Sequence, residues 1–99
     1  MNYKERQSYN NIDKAKRKMK RAKEDHEASI TYMNNLVKFI EENIKVDGTK
    51  NLMNDIKHYT NEMGRNNTNL DTLIRRLDKH QEKIKEISKL REEAEKFGN

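Results

Sequence analysis

Apolar residues recur along the first half of the chain in alternating steps of three and four. This spacing is the heptad pattern of a helix that packs along a second helix. Two polar residues, His26 and Ser29, interrupt the seam. The seam consists of Ile12, Ala15, Met19, Ala22, His26, Ser29, Met33, Leu36 and Ile40. The pattern therefore predicts one long helix over about residues 3–46.

The second half of the chain repeats the pattern after the segment Val46–Thr49. Gly48 stands where a glycine C-cap would end the first helix, and Thr49 or Asn51 can cap the next one. The second seam consists of Leu52, Ile56, Tyr59, Met63, Asn66, Leu70, Leu73, Leu77, His80, Ile84 and Ile87. We therefore predict a turn at residues 46–50 and a second helix over about residues 50–97.

These two seams predict an all-α fold, an antiparallel helical hairpin that forms a single domain over residues 1–99. In such a hairpin the numbers of facing residues have a nearly constant sum. A sum of 96 pairs Ile40 with Ile56 and Met33 with Met63. Both seams then run out in register from the turn, which is not expected of a disordered chain.

Residues 64–69 are a weak point in the second helix, because Gly64 and three asparagines are poor helix formers. Thr68 with Asp71 also resembles a capping box. The heptad phase nevertheless passes through this segment without a skip. The sequence favours a continuous but kinked or frayed helix, with a break into a third helix as the alternative.

The composition indicates that a lone hairpin is marginally stable. Apolar residues make up 31% of the chain and charged residues 39%. Burial contributes about 25 cal/mol per Å², which barely offsets an ordering cost of roughly 1.5 kcal/mol per residue in a two-helix seam. Hairpins of this kind are usually stabilised by a second copy or a partner.

A partner surface is predicted near the turn, where the first helix carries more apolar residues than one seam needs. Residues spaced seven apart flank the seam on each side, such as Tyr32 and Phe39 on one and Ile30 and Val37 on the other. The alternative is that they thicken the hairpin core. The predicted partner-binding residues are Ile30, Tyr32, Leu36, Val37, Phe39, Ile40, Ile44, Val46, Met53 and Tyr59.

Positive charge is concentrated at the start of the chain, where residues 1–23 hold nine Lys or Arg and two acidic residues, against a net charge of +5 for the whole chain. Facing cations of the second helix could extend this region into a phosphate-binding patch. The simpler interpretation is a solvated helix face. The residues of the patch are Lys14, Lys16, Arg17, Lys18, Lys20, Arg21, Lys23, Arg75, Arg76 and Lys79.

The sequence offers no pattern of catalytic or ligand-binding residues. The three histidines, His26, His58 and His80, have no metal-ligand spacing, and there is no cysteine. We therefore expect no enzyme activity, no cofactor and no metal. The polar start of the chain has no signal-peptide core, and no apolar run approaches about 20 residues. We expect a cytoplasmic protein without Sec export or membrane insertion.

Two helices of this length about a midpoint glycine resemble the WXG-type hairpin proteins of type VII secretion. The turn carries Val46-Asp47-Gly48, so the glycine of the motif is present and the tryptophan is not. The tail Leu90–Asn99 has no tyrosine of the family's secretion signal. The chain is thus similar to the tryptophan-less hairpins encoded beside LXG-type toxins. This resemblance implies a small partner that binds a larger secreted helical protein and helps to target it for export, and that leaves with it.

Three functional hypotheses follow from the sequence. The first is a non-enzymatic interaction module that binds a helical protein partner near the turn. The second is a basic nucleic-acid-binding or phage regulatory protein that uses the cationic patch. The third is a structural homodimer that forms a four-helix coiled coil.

Overall fold

The protein is an all-α helical hairpin in a computed structural model that describes residues 1–98, as the heptad pattern predicted. Helix α1 spans Tyr3–Asn43 and helix α2 spans Thr49–Phe97. The first helix ends three residues before the predicted boundary at residue 46. Helix α2 runs without a break through residues 64–69, so the alternative of a third helix is wrong. There the Thr68 hydroxyl donates to the Gly64 carbonyl oxygen within the helix over 3.3 Å.

Packing divides the hairpin into two units, each built from a segment of both helices. The terminal unit contains Met1–Lys20 and the chain from Thr72 onward. The turn unit contains Arg21–Asp71. Each is described separately below.

A capping box begins α1. The Asn2 backbone N–H donates to the Glu5 carboxylate over 2.8 Å, and the Glu5 backbone N–H donates to the Asn2 side-chain oxygen over 2.8 Å. Two of the N–H groups that a helix start leaves unpaired are thus satisfied reciprocally.

Gly48 shapes the turn, with φ at 86°, a conformation that only glycine adopts readily. It does not cap the end of α1, because it lies beyond the helix end at Asn43. Its carbonyl instead accepts the first helical bond of α2 from the Leu52 N–H over 3.1 Å. The Thr49 hydroxyl donates back to the Val46 carbonyl oxygen over 2.7 Å, so Thr49 closes the turn and is not the predicted helix cap.

The residues that face the opposite helix occupy positions a and d of a heptad repeat, and all are buried or half-buried. On α1, a is Tyr9, Lys16, Lys23, Ile30 and Val37, and d is Glu5, Ile12, Met19, His26, Met33 and Ile40. On α2, a is Met53, Thr60, Asn67, Ile74, Gln81 and Ser88, and d is Ile56, Met63, Leu70, Leu77, Ile84 and Arg91.

The observed seam differs from the predicted one at half of the predicted positions, and the difference at each is one residue. The predicted seams contain every d position except Glu5 on α1 and Arg91 on α2. The other predicted positions lie one residue earlier than a, at position g, where Leu73 and Ile87 are exposed. Facing pairs have a nearly constant sum of residue numbers, close to the predicted 96: the sum is 94 for Lys16–Asp78 and for Lys23–Asp71, and 96 for Glu5–Arg91.

Candidate partner-binding surface

The buried a positions of α2 are mostly polar, and in the terminal unit Gln81 shows how they are satisfied. Its side chain is 5% exposed. The amide nitrogen donates to the Asp13 carboxylate over 2.7 Å and to the Tyr9 carbonyl oxygen over 3.1 Å. Its oxygen accepts from the Lys16 ammonium over 2.7 Å. One side chain thus joins α2 to three residues of α1.

Asn67 has the same role in the turn unit. It is 6% exposed, its amide oxygen lies 2.8 Å from a ring nitrogen of His26, and its amide nitrogen donates to the Lys23 carbonyl oxygen over 3.2 Å. Direct hydrogen bonds therefore close this layer of the seam. No buried side-chain nitrogen or oxygen within residues 1–98 lacks a partner, so the polar seam avoids the cost of unsatisfied groups.

Ion pairs seal one side of the seam in each unit. Lys16 lies 2.7 Å from Asp78 in the terminal unit, and Lys23 lies 2.9 Å from Asp71 in the turn unit. Both aspartates occupy position e, next to a. In an antiparallel helix pair, e positions of both helices line one side of the seam and g positions line the other. The e side is therefore the charged, closed side.

The pKa values of these groups reflect their partners. The hydrogen bond from Asp78 raises the pKa of Lys16, and the one from Asp71 raises the pKa of Lys23. The Gln81 amide lowers the pKa of Asp13.

The pKa values of two further carboxylates, Glu5 and Glu92, are lowered like that of Asp13. The Asn2 backbone N–H, and then Arg91, lower the pKa of Glu5. The N-terminal ammonium, 2.8 Å away, lowers the pKa of Glu92. Each of these pKa shifts is thus caused by a partner within the hairpin.

The other side of the seam is apolar and open. Over the described length of both helices, every large apolar residue that is exposed occupies position g or its outer neighbour c, except Tyr3. These residues are Tyr32, Phe39, Leu52, Tyr59, Leu73, Ile87, Leu90 and Phe97. We call the side that carries g and c the open side.

In the turn unit the open side carries what we call the turn face: Tyr32, Leu36, Phe39, Leu52 and Tyr59. Leu36 is half-buried and the other four are exposed. Spacings of i, i+4 and i+7 place Tyr32, Leu36 and Phe39 on one strip of α1, and with Asn35 they line a shallow groove. Tyr59 is 64% exposed. An apolar strip of this kind can receive the apolar face of a helix.

The turn face retains part of the predicted partner set. Val37 and Ile40 do not belong to it, because they are 8% and 5% exposed and form the apolar core of the hairpin. Ile30 and Met53 are half-buried at a positions, facing the opposite helix. Ile44 and Val46 are exposed beyond the end of α1. Leu52 was missed, because its position g had been assigned to the seam.

In the terminal unit the open side carries the terminal face: Leu73, Ile87, Leu90 and Phe97. All four are exposed, and all come from α2. On α1 the corresponding g position is held by the small, half-buried Ala15. The sequence had assigned Leu73 and Ile87 to the seam. On α2 an apolar column at g lies beside a largely polar column at a, and the hydrogen bonds that a makes across the seam show which of the two is buried.

The residues of the predicted cationic patch do not all lie on one side of the hairpin. Lys16 and Lys23 are engaged in the ion pairs described above. Lys14 and Lys79 occupy position f, on the back of each helix of the terminal unit, and therefore point away from each other. The exposed cations of the predicted patch are distributed over positions b, c, e and f. They are Lys14, Arg17, Lys18, Lys20, Arg75, Arg76 and Lys79 in the terminal unit and Arg21 in the turn unit.

Neither a metal site nor a membrane-spanning helix is found within residues 1–98. No three His, Asp or Glu side chains there converge to hold a metal ion. Neither helix has, over the described residues, an apolar stretch long enough to cross a membrane. The chain matches no family model, and comparison with curated proteins and with solved structures finds no significant similarity.

Proposed function

We propose that this chain is a non-enzymatic interaction module whose open side binds further helices and completes a helical bundle. The observation that carries the proposal is the division of the seam into two unlike sides. Position e is closed by ion pairs such as Lys16–Asp78, whereas eight exposed apolar residues occupy g and c. In the turn unit Tyr32 and Phe39 line one groove with Leu36, and an exposed apolar patch of this kind marks an interaction site.

The shallow core supports the same proposal. The buried apolar residues of the described chain are Val37 and Ile40. The remaining apolar a and d residues, such as Leu77 and Ile84, are half-buried. Two helices cannot enclose these side chains, whereas a third and fourth helix on the open side would cover them, as in a four-helix bundle.

The resemblance to the type VII secretion hairpins gives the proposal a more specific form. In that form the added helices belong to a larger exported helical protein, and the chain accompanies it as a targeting partner. The polar seam fits such a role, because a hairpin held by its own hydrogen bonds can present the open side before the partner arrives.

Replacement of two turn-face residues tests the proposal. Phe39→Ser with Tyr59→Ser removes apolar contacts from exposed positions, so the hairpin should keep its helix content. Tyr3→Ser is the matched control, because Tyr3 is also exposed (77%) but lies off the open side. Light scattering would give the mass of each protein, alone and co-expressed with the products of neighbouring genes.

We expect the unmodified chain and Tyr3→Ser to form assemblies heavier than the 11.9 kDa chain, and the double variant to remain a helical monomer. A wild-type chain that stays a folded monomer alone and with every neighbouring product would overturn the proposal. So would a double variant that assembles as well as the wild type.

A further inference from the structure

The turn face is bordered by acidic residues only. At the g and c positions of the turn unit the charged residues are Asp25, Asp55 and Glu62, and all three are exposed. Glu62 also lies 3.1 Å from His58 on the same helix. No lysine or arginine occupies g or c between residues 21 and 71. The apolar strip of this unit is thus set in a negative border.

The terminal face has a border of the opposite sign. At its g and c positions the charged residues are Lys4, Lys18, Arg76 and Lys83, all exposed. No Asp or Glu occupies g or c in residues 1–20 or 72–98.

Positions b and e, on the closed side, show no such segregation of charge signs. Position b of α2 in the terminal unit carries both Glu82 and Lys89, and position e of α2 in the turn unit carries both Lys57 and Asp71. The separation of signs is therefore specific to the open side. This separation of charge signs is found on the side of the seam that no other part of the chain covers.

We propose that the occupant of the open side is a second copy of this chain, oriented so that the turn face of one copy packs on the terminal face of the other. The proposal rests on the proposed function, and it names a second copy as the occupant in place of the exported protein that the resemblance suggests. Each apolar strip then meets an apolar strip, and each acidic border meets a basic one. Because every copy carries both faces, two copies can make this contact twice in an isologous dimer. Complementary borders of this kind set the orientation and disfavour the parallel arrangement.

The chain exposes 8070 Å², and each partner of a standard interface buries about 800 Å². The exposed surface therefore leaves room for such a dimer.

Charge reversal on one face at a time tests the arrangement. Variant A carries Arg76→Glu with Lys83→Glu, and variant B carries Asp55→Lys with Glu62→Lys. In a dimer of A, the two new carboxylates of α2 meet the acidic border of the turn face, and in a dimer of B, the two new ammonium groups of α2 meet the basic border of the terminal face. In a mixture, both contacts of an A–B pair are attractive. The matched control is Arg75→Glu with Lys89→Glu, which makes the same charge change at exposed b positions of α2.

Sedimentation equilibrium at low salt is expected to give a dimer of about 24 kDa, twice the chain mass of 11.9 kDa, for the wild type and the control. Variants A and B should each dimerise at least roughly a hundredfold more weakly, since facing like charges cost several kcal/mol. An equimolar mixture of A and B should restore the dimer. Circular dichroism would verify that every variant remains helical.

Three results would overturn the second copy as occupant. The wild type could be a folded monomer, A and B could dimerise as well as the wild type, or their mixture could fail to recover. A wild-type monomer that binds a larger helical protein, and loses it on Phe39→Ser with Tyr59→Ser, would refute the second copy but leave the proposed function intact.

Discussion

Gln81 donates a hydrogen bond to the Asp13 carboxylate over 2.7 Å and so ties α2 to α1 inside the terminal unit. It does so from a buried a position, where a heptad repeat usually carries an apolar residue. Polar groups at a specify one pairing of helices, because the alternatives leave them unsatisfied. Together with Asn67 in the turn unit, Gln81 binds the helices by directed contacts and leaves apolar side chains on the open side.

Gln81→Ala should lower the free energy of unfolding by about 1–3 kcal/mol, because it removes the partner of Asp13 and Lys16 at a buried position. The control Gln7→Ala changes an exposed glutamine of the same unit and should be nearly neutral. Urea unfolding at pH 7 would measure both. Equal midpoints for the two variants would mean that the network does not hold the seam.

The two glycines of the turn unit should respond to alanine in opposite ways. An added Cβ meets no atom within 4 Å at Gly48 or at Gly64. At Gly48 the positive φ of 86° remains, so Gly48→Ala should destabilise the chain by about 1 kcal/mol. Gly64 lies within α2, where alanine should stabilise by roughly 1 kcal/mol. Thermal unfolding would measure the two shifts, and a shift of the same sign in both variants would contradict the turn geometry.

Acid should loosen the terminal unit before the turn unit. Glu5, Asp13 and Glu92 all belong to the terminal unit, and their partners lower the pKa of each carboxyl in the fold. A lowered pKa contributes stability above the unfolded value, 4.5 for Glu and 3.8 for Asp, and this stability is lost as the pH falls through the folded value.

In the turn unit the shifted group is Lys23, whose pKa is raised by Asp71. A raised pKa contributes stability that is fully present below the unfolded value of 10.5 and is lost only above it, as the pH rises through the folded value. Hydrogen exchange, compared between about pH 3 and pH 7 and corrected for intrinsic rates, should therefore show protection lost first in residues 1–20 and 72–98. Earlier loss in residues 21–71 would contradict the assignment.

The helices and the turn could be predicted from the sequence because they depend on local propensity. The d positions could be predicted because most of them are apolar on both helices. Met33 and Ile56 were assigned correctly, since each is apolar and lies at d. The capping box of Asn2 and Glu5 was not recognised, although its spacing can be read from the sequence.

The a positions could not be distinguished from g by counting apolar residues. On α2, g carries Leu52 and Tyr59 while a carries Thr60 and Asn67, so apolar spacing favours the wrong column. What decides is the set of hydrogen bonds across the seam, and these depend on the register of two segments far apart in the chain. The same ambiguity placed Val37 on the partner surface, although it is part of the core.

The most direct test of the central claim is the reactivity of single cysteines on the two sides of the seam. The chain has no natural cysteine, so Asn66→Cys at g and Asn61→Cys at b each provide one thiol at an exposed position of α2 and leave every turn-face residue in place. If the open side is where further helices pack, the thiol at 66 should react roughly tenfold more slowly than the thiol at 61 in concentrated protein, and the two rates should converge on dilution, as burial in a dissociable interface requires. Equal rates at every concentration would contradict the account.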